Sequence, residues 1–183
     1  MLADAGIPMV FVQFPLMVGA LIPVIVVEAL LIRRWTGLSY GRAFKGVAGA
    51  NLLSTVAGFP LAWLVMFFLE LGVGYSADIA LEKWHWRFLS SPFVGIISFP
   101  LGAAWLNPLD RERSWVIPLA AAILLVPSFY VSIWIERPMC RFSWPELDPV
   151  LLRRSVFRAN LASYAVLFVL ACGWAAVWFY IYD

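Results

Sequence analysis

Residues 49–58 read GANLLSTVAG, and residues 158–167 read RANLASYAVL. Both write Ala-Asn-Leu-x-Ser near the start of a long apolar run. A shift of 109 positions places Asn51 on Asn160 and Ser54 on Ser163. Asparagine is an awkward residue at the start of a membrane helix, so its repetition at one spacing asks for a structural use. The same shift places Trp35 on Trp144, Leu38 on Leu147, Ser39 on Asp148 and Lys45 on Arg154. With one gap, Glu28 falls on Glu136. Each unit therefore reads: apolar helix, Glu, bases, Trp, helix N-cap, basic turn, Asn-Leu-x-Ser, apolar helix. Ser and Asp are both favoured N-caps, and Pro149 suits the first helical position after Asp148. We read the pattern as two copies of one helical hairpin.

Composition sets the solvent. The chain of 183 residues is 63% hydrophobic and 13% charged, with a mean hydropathy of +0.88. Soluble domains hold about 45–50% apolar and about 25% charged residues. A single small core cannot hide this much apolar surface, so lipid is the remaining solvent. Ten Trp and six Tyr suit the headgroup level, where amphipathic rings concentrate. The formal charge of +2 and the lack of a dense basic patch exclude a nucleic-acid partner. Two cysteines form no CxxC pair. Cys172 lies in an apolar run and Cys140 is read in a polar loop, so no bridge is expected between them. The N-terminal MLADAGIPMV has no basic n-region, so the first apolar run is expected to persist as a helix.

A spanning helix needs about 20 mostly apolar residues. Four runs qualify: residues 9–32, 47–71, 115–135 and 159–182. The run at 115–135 is read as ended by Glu136-Arg137-Pro138. Between the hairpins, residues 90–108 are broken by Pro92, Gly95, Pro100, Gly102 and Pro108. The 15 residues from 92 to 106 reach about 22 Å at 1.5 Å per residue, short of a hydrocarbon core of about 30 Å. That segment is expected to be re-entrant or short, with an interfacial stretch (YSADIALEKWHWRF) before it. The expected fold is thus an all-α integral membrane protein, one membrane domain with hairpin 1 at 9–71, an interfacial and broken segment at 72–113, and hairpin 2 at 114–183.

Charge counting orients it. If the broken segment spanned, six bases would face seven. If it enters and leaves on one side, nine bases gather at the two hairpin turns against four opposite. The positive-inside rule selects the second arrangement: both termini outside, both basic loops cytoplasmic, in what reads as a bacterial inner membrane. The two copies are then parallel, related by an axis along the membrane normal.

Asn51 and Ser54 lie three apart and share a helix face. Polar groups of this kind bridge membrane helices at about 0.6–2 kcal/mol each. The expected use is a clasp at each hairpin neck, from Glu28, Arg33, Asn51 and Ser54 in one copy and Glu136, Arg158, Asn160 and Ser163 in the other. The basic loops, with Arg34, Arg42, Lys45, Arg141, Arg153 and Arg154, are expected to face lipid headgroups or a partner. Intramembrane ionisable groups are functional candidates, which gives Glu28 a second reading as a proton or cation site. His85, the single histidine, is a candidate axial ligand to haem or a chlorin brought by a partner. One histidine excludes a His-rich metal site and a His-paired triad within the chain.

No Walker loop, dinucleotide fingerprint or nucleophile elbow is present. No interfacial cluster of acids, bases and nucleophiles suits an enzyme acting on lipid. No cofactor is expected. The sequence favours a non-catalytic accessory subunit of a larger membrane complex, with an energy-transducing complex as one candidate, in contact with lipids and other integral subunits. The alternative is a small oligomeric transporter or channel using Glu28 and the broken segment.

Overall fold

The computed structural model describes residues 7–84, 105–106 and 116–182. The broken segment, apart from Trp105 and Leu106, and His85 lie outside the described residues. Helix α1 runs Met9–Thr36. After a three-residue turn, α2 runs Tyr40–Leu53, passes through a single π-turn at Ser54–Gly58 and continues as α3, Phe59–Trp84. Helix α4 runs Val116–Ser143, and α5 runs Pro149–Tyr182. A two-residue antiparallel pairing joins β1, Ile7–Pro8, to β2, Trp105–Leu106. Four helical stretches are long and apolar enough to cross a membrane: Phe14–Thr36, Tyr40–Gly72, Ile117–Ser143 and Pro149–Ile181. The protein is an all-α membrane protein of two hairpins.

The helices close a ring. α1 packs on α2 and on α5, and α4 packs on α5 and on α2 and α3. Both hairpin turns lie at one end of this ring, because Arg42 beside the first turn pairs with Glu146 in the second. Trp144, at the second turn, also lies against Gly46 of α2. Chain direction then puts the exit from α3 and the entry to α4 together at the opposite end. That is the parallel arrangement of copies.

The principal core lies beneath the turns. It gathers Ile25, Ala29 and Ile32 of α1, Ala43, Val47 and Ala50 of α2, Cys140 of α4, Trp144, and Leu152, Val156 and Ala159 of α5. The small residues let backbones approach closely, which is how helices associate where lipid is as apolar as their side chains. A second cluster joins Met66 of α3 to Ala120, Ala121 and Leu124 of α4.

Several boundaries differ from the sequence reading. The second helix starts at Tyr40 and reaches Trp84, so Arg42 and Lys45 ride on a helix, and the stretch from Tyr75 to Trp84 continues it. α4 runs through Pro138 to Ser143. Its residues Glu136 and Cys140 are accordingly buried in the bundle, at 2% exposure each, where the sequence placed a helix end and a polar loop. Proline in a helix removes one ladder bond without always ending it, and packing on neighbouring membrane helices tolerates this. Both cysteines are free thiols.

The π-turn has a local cause. Pro60 has no N–H to give Val56, and its ring crowds the carbonyl four residues back. The ladder slips by one, and Phe59 N–H bonds the Ser54 carbonyl five residues earlier. Such π-bulges recur at functional sites. This one begins at Ser54.

Candidate functional site: a crossed pair of carboxylates

Glu28 and Glu136 are buried at 1% and 2% exposure. Glu28 sits on α1, about two helical turns short of the first hairpin turn. Asn51, on the returning α2, donates its Nδ2 to Glu28 Oε2 at 2.7 Å and to the Val47 carbonyl at 3.2 Å. In the second hairpin, Asn160 donates its Nδ2 to Glu136 Oε2 at 2.6 Å and to the Val156 carbonyl at 3.2 Å. The same three positions, four residues apart on the asparagine helix, are used twice.

The serines cross over. Ser163 of α5 donates to Glu28 Oε1 at 2.5 Å. Ser54, at the π-turn, donates to Glu136 Oε1 at 2.7 Å. Each serine also lies within reach of the carbonyl three residues back, Asn160 at 3.0 Å and Asn51 at 3.2 Å. One hydroxyl proton serves both acceptors. Every carboxylate thus takes an amide from its own hairpin and a hydroxyl from the other. The four bonds obey the two-fold relation of the repeat.

The sequence reading named these glutamates, asparagines and serines as clasp residues and gave the serines no particular carboxylate; each bonds the glutamate of the other hairpin. The arginines are corrected. Arg33 and Arg158 are exposed, and neither is a partner of Glu28 or Glu136. They stand on the outer faces of α1 and α5, where a long cationic side chain reaches water or headgroups at little cost. Arg34, Arg42, Lys45, Arg141, Arg153 and Arg154 are all exposed, and all lie on helix ends. The turns themselves span only residues 37–39 and 144–148.

Two residues of the centre were missed. Ser132 lies one helical turn before Glu136 on α4, and its Oγ is 2.7 Å from the hydroxyl of Tyr164, the neighbour of Ser163. The available signal was a polar stripe at helical spacing, Ser128, Ser132 and Glu136, all buried. The first hairpin has no counterpart, since Val24 and Thr55 occupy the corresponding positions. One buried acceptor, Asn160 Oδ1, has no partner.

The centre is closed. The cavity beside it, lined in part by Asn51, Ser54, Thr55 and Tyr164, measures about 10 Å³, at or below what one water needs. Among the described residues, no group of three or more His, Cys, Asp or Glu side chains is placed to hold a metal ion. No protein-family model, curated protein or solved structure matches the chain.

Proposed function

We propose that the chain is a non-catalytic, multi-pass subunit of a larger membrane assembly, with the crossed carboxylate pair as its internal fastening. The observation that supports this reading is saturation. Both oxygens of both glutamates are occupied by amide and hydroxyl donors of the bundle itself. An ion or substrate entering the centre would have to break these bonds in a space of about 10 Å³, no larger than one water needs. A buried network of this kind, with both carboxylates bonded across the helices, fixes one helix register and rigidifies the bundle. The proposed setting is a bacterial inner membrane, with the arginine-rich turn end cytoplasmic and both termini outside, in keeping with the positive-inside rule. Mild detergent extraction followed by native mass and polypeptide content tests the reading. Co-migration with other chains is the expected result. A lone, small homo-oligomer would overturn it.

A second reading has one observation in its favour. Two intramembrane carboxylates, one from each repeat, meet at the two-fold centre, the place where repeat-built transporters hold their ions. Liposome flux separates the two readings: a proton or cation flux abolished by Glu28→Gln favours transport, and no flux favours the subunit.

A further inference from the structure

We infer that the second hairpin carries a binding site for the phosphate of an anionic lipid headgroup, in the pocket where α4 ends and α5 begins. The pocket measures about 300 Å³ and is lined by Arg137, Pro138, Arg141, Pro149, Leu152 and Arg153. Three arginines, two prolines and a leucine thus line one space, and no acid is in its lining. The described ion pair of the turn region, Arg42 with Glu146, engages none of these arginines. Arg141 spends one N–H on the Leu147 carbonyl at 2.7 Å, which anchors its side chain at the rim. Arg137 Nε is buried and has no hydrogen-bond partner. A buried donor in a wall of like charges is satisfied best by an anion with several acceptor oxygens. Planar guanidinium groups match phosphate in a bidentate fork.

Position selects the source of that phosphate. α4 has 28 residues, about 42 Å at 1.5 Å per residue, against a hydrocarbon core of about 30 Å. Its last turns, which carry Arg137 and Arg141, therefore overhang into the headgroup layer. The flanking surface is built to meet lipid, with Val150, Leu151 and Phe157 exposed on α5. Basic pockets between membrane helices at this depth suit anionic headgroups. The first hairpin repeats the theme: Leu30, Arg33, Arg34, Gly37, Leu38 and Ser39 line a space of about 590 Å³ at its own turn. Arg33 and Arg141 correspond under the 108-residue offset that relates Glu28 to Glu136.

The test uses the full chain in a neutral detergent, with native mass spectrometry counting bound lipid as phosphatidylglycerol or phosphatidylcholine is added. Wild type retains phosphatidylglycerol in preference to phosphatidylcholine. Arg137→Gln and Arg153→Gln each weaken retention about fivefold, the factor an arginine near an anionic surface contributes. Arg154→Gln, one residue away and outside the lining, leaves it unchanged. Arg153 is on an exposed face, so its variant folds even if the Arg137 variant does not. Excess inorganic phosphate is the second arm. Failure to displace the lipid assigns the site to a headgroup, and full displacement keeps the phosphate site and assigns it to a free anion. Equal retention of the two lipids, or an equal loss in Arg154→Gln and Arg153→Gln, overturns the proposal.

Discussion

Ser163 donates to Glu28 across 135 positions of sequence, from the last helix to the first. Its counterpart, Ser54 to Glu136, runs the other way between hairpins. Within the buried centre, these two bonds join the copies, while the asparagine bonds stay within each hairpin.

A double-mutant cycle on Glu28→Ala and Ser163→Ala should therefore give a coupling of about 0.6–1.7 kcal/mol, the range measured for polar contacts between membrane helices. The cycle on Glu136 and Ser54 should match it. Crossing the pairs, Glu28 with Ser54, should give clearly less, because those groups share no bond. Unfolding in bicelles by steric trapping reads these values. Equal coupling in bonded and crossed pairs would dissolve the assignment of partners.

The two helix starts, equivalent in sequence, differ in chemistry. Asp148 accepts a bond from the Leu151 N–H at 2.7 Å, a true N-cap three residues ahead. Ser39 stands at the corresponding place and makes no capping bond through its side chain. Asp148→Ala should cost about 1 kcal/mol. Ser39→Ala should cost only a few tenths of that, within the ordinary range for a surface change without a partner. Thermal midpoints of the two variants in one detergent decide it, and a larger loss from Ser39→Ala would contradict the geometry.

The reading of the sequence succeeded where spacing carries the information. The offset of 109 identified Asn51 with Asn160 and Ser54 with Ser163, and apolar run length identified four spanning helices. It failed where the answer depends on how a helix turns about its own axis. Ser54 and Asn51 share a face, but hydropathy does not say which neighbour that face meets, so the crossing of the serines was invisible. Glu136-Arg137-Pro138 has the grammar of a helix end. The structure spends it mid-helix, because Trp144 and Cys140 supply a further buried turn. The π-turn was hidden for a different reason. Pro60 announces a disturbed ladder, but whether the helix kinks, ends or widens is settled by packing on α4.

At the turn end, Glu146 is held below the usual carboxylate range, first by a hydrogen bond from its own backbone and second by Arg42. A depressed folded value means that the contribution to stability is present above the unfolded value of about 4.3 and is lost as pH falls through the folded one. Both partners are exposed, at 56% and 47%, so the effect is small and screened by salt. Arg42→Gln should flatten the acid limb of the thermal midpoint below the ordinary carboxylate range. Added salt should shrink the difference between wild type and variant. A steeper acid limb in Arg42→Gln would reverse the assigned sign.

Gly46 and Trp144 meet closely between the hairpins. A Cβ on Gly46 would lie 2.3 Å from Trp144 Cζ2 and 2.7 Å from Cε2. The indole is 1% exposed and has little room to retreat. Gly46→Ala should lose about 1–3 kcal/mol to overpacking, of which helix propensity returns at most about 1. Gly49→Ala, one turn on, meets nothing within 4 Å and should gain about 0.5–1 kcal/mol from propensity alone. The two substitutions are chemically identical and are expected to have opposite signs. In a Trp144→Phe background the clash is relieved, and Gly46→Ala should become neutral or favourable. Should Gly46→Ala and Gly49→Ala move the thermal midpoint in the same direction, the close approach of the second turn to α2 is wrong, and with it the placement of both turns at one end of the bundle.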